Sequence, residues 1–230
     1  MSLQIEERAY RITFVEDVLG SWPADPDVWS RWLATRAPAP WLAEEESESV
    51  SKGDEPERGI GLTVFPQDKE GVHLWNYHVK GFIKEAAAAC NHLLFKRSKK
   101  NKETGETVEV KGLWQVRSKI DNYVFVQPRK LYFTRDGKRI LEPDEVLERP
   151  LRGETMRGPR VTLTASEVVK APASIEFRVQ LLVNPDITWK HIEAFLDYGA
   201  LKGIGQWRTG SWGSFTWEQA EVKRGKARAG

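Results

Sequence analysis

The chain has 230 residues, 40% of them hydrophobic, enough to bury a sizeable core as one large domain or one domain with big insertions. Its formal net charge is only +2, which excludes a global field driving it onto nucleic acid or a membrane surface. A single cysteine, Cys90, excludes an internal disulfide and a cysteine-rich zinc site, and no signal sequence or apolar run of about 18 residues is present, so a cytoplasmic protein without a membrane partner is expected.

Residues 8–19 alternate, with Tyr10, Ile12 and Phe14 against Arg11, Thr13 and Val15, and predict a strand ended by Gly20. A helix follows. Asp25 can cap it, Pro26 suits its first position, and Val28, Trp29, Trp32 and Leu33 share one face before Pro38 stops it. Residues 41–57 hold seven acidic residues and one lysine, the composition of a solvated loop without the ordered spacing of a calcium site. Strands are predicted over 59–66 and 72–78.

Residues 79–94 predict a long helix. Val79, Phe82, Ile83, Ala86, Ala87, Cys90, Leu93 and Leu94 recur at intervals of three and four. Cys90 falls on this apolar stripe and reads as a structural thiol. Lys80 opens the helix beside Gly81, where a cation opposes the helix dipole and is better tolerated if an anion lies nearby. Residues 95–119 carry eight Lys/Arg and three glutamates; within them KRSKKNKETGET reads as a flexible basic loop or hairpin tip, followed by Trp114, Arg117 and Lys119. Strands are predicted over 121–127 and 129–133, with a turn at Asp136-Gly137.

The segment 148–161, ERPLRGETMRGPRV, shows no period until Val161 and reads as an irregular loop. Arg152, Arg157 and Arg160 on such backbone suit bidentate phosphate contacts. Strands over 161–163 and 175–183 precede a helix capped by Asp186 or Thr188, with Trp189, Ile192, Phe195 and Leu196 inward. Then comes GALKGIGQWRTGSWGSFTW, residues 199–217, with glycines at 199, 203, 205, 210 and 213. Its arginine where GxGxxG needs a third glycine, and its place after a helix, argue against a dinucleotide site. Cations Lys202 and Arg208 with Trp207 and Trp212 on a turn containing Gly203 and Gly205 suit a phosphate chain with stacked bases. A helix cap, connecting loop and last strand over 212–217 is the structural alternative. Residues 221–230 read as a basic disordered tail.

Stripped of insertions near 20–78, 95–121 and 127–172, residues 1–220 form one α+β domain. Its order is β-α-β-β-α-β, the ferredoxin-like or RRM-like arrangement. Here HVKGFIKEAAAAC resembles the signature that opens the first helix in the RAMP superfamily, with Lys80-Gly81 and Lys84 matching its lysine-glycine and basic positions. The usual proline-glycine-serine-serine before it is missing. GIGQWRTGSWGSF resembles that family's glycine-rich loop, and residues 159–183 resemble its penultimate-strand region. The resemblance implies a relative of the backbone subunits of type I and type III CRISPR effector complexes, or of similar phage- and prophage-encoded proteins. Those subunits bind single-stranded guide RNA along a helical polymer. By the same resemblance Lys80, Gly81 and Lys84 approach the RNA backbone and the 203–213 loop lines the groove. Some family members cut RNA with an aspartate after the first strand, the region of Asp25 and Asp27, but helix capping explains these two better.

The four histidines have no metal-site spacing, and no cofactor or metal motif occurs. The expectation is therefore a sequence-independent binder of single-stranded nucleic acid, RNA before DNA, forming a homo-oligomer or filament. Two alternatives stand beside it. One is a phage assembly protein that polymerises without nucleic acid, and the other is an endoribonuclease using His78 or His191.

Overall fold

A computed structural model describes residues 3–25, 61–100, 107–155 and 158–221, with backbone alone for 99, 100, 108, 151–155 and 158–162. Its strands are β1 (Ile5–Phe14), β2 (Val18–Leu19), β3 (Trp22–Pro23), β4 (Gly61–Val64), β5 (Gln67–Asp68) and β6 (Gly71–Trp75), then β7 (Lys96–Lys100) and β8 (Thr107–Lys111). They continue with β9 (Val124–Gln127), β10 (Lys130–Tyr132), β11 (Thr134–Arg135), β12 (Lys138–Arg139), β13 (Glu145–Thr155), β14 (Gly158–Val169), β15 (Ala173–Leu182) and β16 (Phe215–Ala220). The helices are α1 (Asn76–Ala89), α2 (Asn91–Leu94), α3 (Val116–Tyr123) and α4 (Trp189–Asp197). The protein is a mixed α+β fold in which sheet dominates.

The main sheet runs β9-β15-β1-β16, every neighbour antiparallel, with β11 and β12 extending from β15. Period-two patterning orients it. Tyr10, Ile12 and Phe14 of β1 and Ile175, Phe177, Val179 and Leu181 of β15 are buried. The helices cover this face. Val79, Phe82 and Ile83 of α1 and Ile192, Phe195 and Leu196 of α4 enter the same core, each worth about 1.5–3 kcal/mol of burial.

The opposite face of the two central strands is polar. Arg11 pairs with Glu176 at 2.5 Å and Glu218 at 3.0 Å, and Thr13 meets Ser174 at 2.9 Å. RRM proteins stack bases on aromatics of this face. Here the outward positions of β1 and β15 carry none.

Four readings of the sequence are corrected. The 148–161 segment is no loop but part of the β13–β14 hairpin, paired from Glu145↔Val168 to Thr155↔Gly158. Its prolines mask the strand pattern, yet β13 is an edge strand in the order β13-β14-β4-β3, where Pro150 is tolerated. Residues 121–123 belong to α3, which the sequence hides because its eight residues bury only Val116 and Ile120. The long helix breaks at Cys90, where the Asn91 side chain instead binds the backbone of Leu113. The last strand begins at Phe215, leaving Trp212 in the loop. Asp136 and Gly137 do form the turn between β11 and β12, both with positive φ. The expected helix after Asp25, the acidic run and the tail lie outside the described residues.

Asp68 pins β5 to β10. It accepts from Lys130 at 2.9 Å, from the Tyr132 hydroxyl at 2.8 Å and from the Glu70 amide at 2.8 Å. Burial alone would raise its pKa, but these donors outweigh it and hold the carboxyl at about 2. Because the folded pKa is depressed, the stabilisation is complete above the unfolded value and is lost as pH falls through about 4 toward 2. Asp68→Asn is expected to cost about 1–2 kcal/mol at pH 7 and to flatten stability against pH below about 4, read by denaturant melts.

Candidate nucleic-acid interface

Helix α1 starts where Trp75 ends β6. The Trp75 amide donates to His78 Nδ1 at 3.2 Å, and the Asn76 side chain donates to the Val126 carbonyl at 2.8 Å. At ~100° per residue, Gly81 and Ala88 fall on one stripe in line with the half-buried Tyr77, with Lys80 and Lys84 to one side and Glu85 to the other. Lys84 Nζ binds the Asp121 carboxylate at 2.6 Å, and Lys80 Nζ donates to the Asp121 carbonyl at 3.0 Å. Burial lowers the pKa of Lys80, with Asp121 opposing and Lys84 adding to the shift. Gly81 is exposed, and a Cβ built there meets nothing within 4 Å.

The glycine-rich loop closes on the backbone of its own chain. The Ile204 amide donates to the Gly213 carbonyl at 3.0 Å, the Gly213 amide to Asp17 at 2.8 Å and the Gln206 amide to Leu19 at 3.3 Å. A Cβ on Gly203 would overlap the Gly213 carbonyl, and one on Gly205 would lie 2.9 Å from the Leu19 oxygen. Gly199 lies under the Phe215 ring. Gly203 is buried, so its role, like that of Gly205, is to place the loop.

Thus anchored, the loop brings its cations to α1. Lys202 Nζ meets Glu85 at 2.5 Å, and Arg208 binds the other oxygen of the same carboxylate. Burial would raise the pKa of Glu85, but the two cations outweigh it and the pKa is lowered. The α1 stripe is therefore bordered by two matching devices, Asp121 between Lys80 and Lys84, and Glu85 between Lys202 and Arg208. Four cations face two carboxylates, leaving two positive charges along the stripe.

Beyond Arg208, Trp207 stacks on Trp212 with centroids 6.2 Å apart and planes 14° from parallel. Trp207 has φ +55°, an uncommon conformation for a residue other than glycine. Arg149 of β13 lies over its ring at 4.7 Å.

The other predicted residues are not gathered here. Arg117 is exposed on α3, whereas Lys119 turns to Asp186. Arg152 and Arg160 sit on the β13–β14 hairpin with side chains outside the described residues, as is Arg157 altogether. Asp25 is exposed and Asp27 lies outside the described residues. His191 repeats the role of His78, its Nδ1 accepting the Thr188 amide at 3.1 Å to cap α4. Three participants escaped the sequence reading: Arg149, Glu85 and Asp121. Arg149 does stand in the same arginine-rich segment as Arg152, Arg157 and Arg160.

No protein-family model matches the chain, and no curated protein matches it. Among solved structures, a chain in "Cryo-EM structure of the Type III-B Cmr-beta bound to cognate target RNA" is similar at 11% identity and a TM-score of 0.45. The match covers 95% of this chain and 60% of that one, and it is a distant likeness. No helix among the described residues is long and apolar enough to cross a membrane.

Proposed function

We propose that this protein binds single-stranded nucleic acid, RNA first, along the Gly81 stripe of α1 and the glycine-rich loop. Contacts run to the phosphate chain, so binding is independent of sequence. The observation that carries the reading is Gly81. A glycine inside a helix costs about 0.5–1 kcal/mol relative to alanine. Gly81 has neither a positive φ nor a neighbour that excludes a Cβ, so nothing within the described chain calls for it. Close approach by an outside partner does, and the cations on both flanks suit a polyanion.

The core is read as ferredoxin-like and RAMP-like, within one domain. The order β9-β15-β1-β16, with α1 between β1 and β9 and α4 between β15 and β16, supports this. The protein is read as a homo-oligomer in which neighbouring copies continue the track.

The deciding experiment is the absorbance ratio and size-exclusion mass of protein purified from cells, before and after RNase or DNase. A nucleic-acid-bearing species that shrinks with RNase is expected. An assembly indifferent to both nucleases would favour the assembly-protein reading, and failure to bind added oligonucleotides would end the binding one. Gly81→Ala is expected to raise Tm by about 2–3 °C while weakening single-strand binding several-fold. Unchanged affinity would remove Gly81 from the site.

A further inference from the structure

Arg149 is an anomaly in the β13–β14–β4 sheet. It is 5% exposed and has no acidic partner among the described residues. Among the described residues its one side-chain hydrogen bond runs from Nη2 to the Gln206 amide oxygen at 3.0 Å, an acceptor shared with Thr63 and Ser166. Nε and Nη1, which carry three of the five guanidinium donors, are buried without an acceptor. Burial accordingly pulls the pKa of this side chain down. A buried cation facing only neutral groups is costly, and its missing partner calls for an anion.

What lies on Arg149 is Trp207, a cover open to solvent on one side. The residue is 43% exposed, its backbone is left-handed, and Gly205 and Gly210 flank it within the loop. Its other stacking partner is Trp212, also in the loop. Trp207 therefore contacts both a guanidinium and a second, near-parallel indole. A nucleotide offers the matching pair, a phosphate for the guanidinium and a base for the indoles.

Resting on the single-strand reading above, we propose that Arg149 and Trp207 form a one-nucleotide pocket. In it Trp207 leaves the guanidinium to stack on a base, and Arg149 takes the adjoining phosphate. No base identity is selected, since every base has a face to stack. Arg149 thus holds a phosphate position at Gln206 and Trp207 of the glycine-rich loop, next in sequence to Arg208.

The test uses the full chain, a labelled oligouridylate single strand and a salt series, with thermal melts alongside. Arg149→Met is expected to fold with Tm unchanged or raised, since it removes an unpaired buried charge. It should lose about tenfold in affinity and lower the salt slope by about 0.7, one phosphate's share on a single strand. Trp207→Ala should lose a similar factor with the salt slope kept, because the charge remains. A wild-type salt slope in Arg149→Met overturns the pocket. So does a lowered Tm with unchanged slope, which would make Arg149 half of an internal ion pair. If the methionine variant does not fold, Arg149→Lys keeps the charge and loses the fork. Weakened binding then supports the pocket and wild-type affinity overturns it. Wild-type protein that binds no single strand removes both proposals, whereas a binding wild type with an unaltered Arg149→Met slope removes this one alone.

Discussion

Gly213→Ala is expected to destabilise the protein by about 3 kcal/mol or more, the largest single-residue effect predicted here. Two penalties coincide at that position. Gly213 has φ +68°, where a Cβ is strained by about 1 kcal/mol even in open space. The added methyl would also overlap the Ile204 carbonyl oxygen, and that oxygen belongs to backbone. No rotamer change relieves such an overlap. The loop must shift, and the shift strains the Ile204–Gly213 and Gly213–Asp17 hydrogen bonds that fasten it to itself and to the β1–β2 turn. For a chain of this length the expected fall in Tm is about 6–12 °C. Gly203→Ala, which meets the same backbone from the other side, should behave alike. Gly210→Ala is the control, because its Cβ would come no closer than 3.3 Å, and to movable indole atoms. A Tm for Gly213→Ala within about 2 °C of wild type would mean that the loop is not packed as described.

These glycines show how far the sequence could be read. Their clustering between a helix and a strand was visible. What approaches them was not visible, because Gly213 and Ile204 meet only when both ends of the loop are brought together by α4 and β16. Elements with strong periods were legible for the same physical reason that they are stable. In β1 and β15 every second residue enters the core, and in α1 an apolar stripe recurs each turn. Helix α3 lacks such a stripe, and β13 carries Pro150 and Gly153 in an edge strand, so local composition misleads in both.

The interface divides in the same way. Lys80, Lys84, Lys202 and Arg208 could be picked out by type and by neighbouring glycines. Their carboxylate partners could not, because Asp121 comes from α3 and reaches α1 only through packing, and Glu85 meets the loop across more than a hundred residues of sequence. Arg149 was passed over because the other arginines of its segment looked equivalent. Its difference is burial, which composition does not record.

The combined variant Lys80→Ala, Lys84→Ala, Arg208→Ala is expected to bind single strands about 100-fold more weakly, at roughly 1 kcal/mol per lost contact. Its salt slope should fall by about 2, three phosphates' share. The fold should survive, since the lost ion pairs are partly exposed and such pairs contribute about 0–1 kcal/mol each. The informative companions are the carboxylates. Asp121 and Glu85 each bridge two cations, and on the proposed reading they stand where phosphates would bind. A strand must displace them or share their partners. Glu85→Gln and Asp121→Asn keep the shape and remove the competition, so each should tighten binding several-fold, most at low salt where charge is least screened. A structural role predicts the reverse sign: neutralising either carboxylate would leave its two cations without that partner, lower Tm and give no gain in affinity. Opposite signs for the cation and carboxylate variants, measured on one labelled oligonucleotide, would locate the phosphate track on this face of α1. Equal affinities across all of them would place it elsewhere.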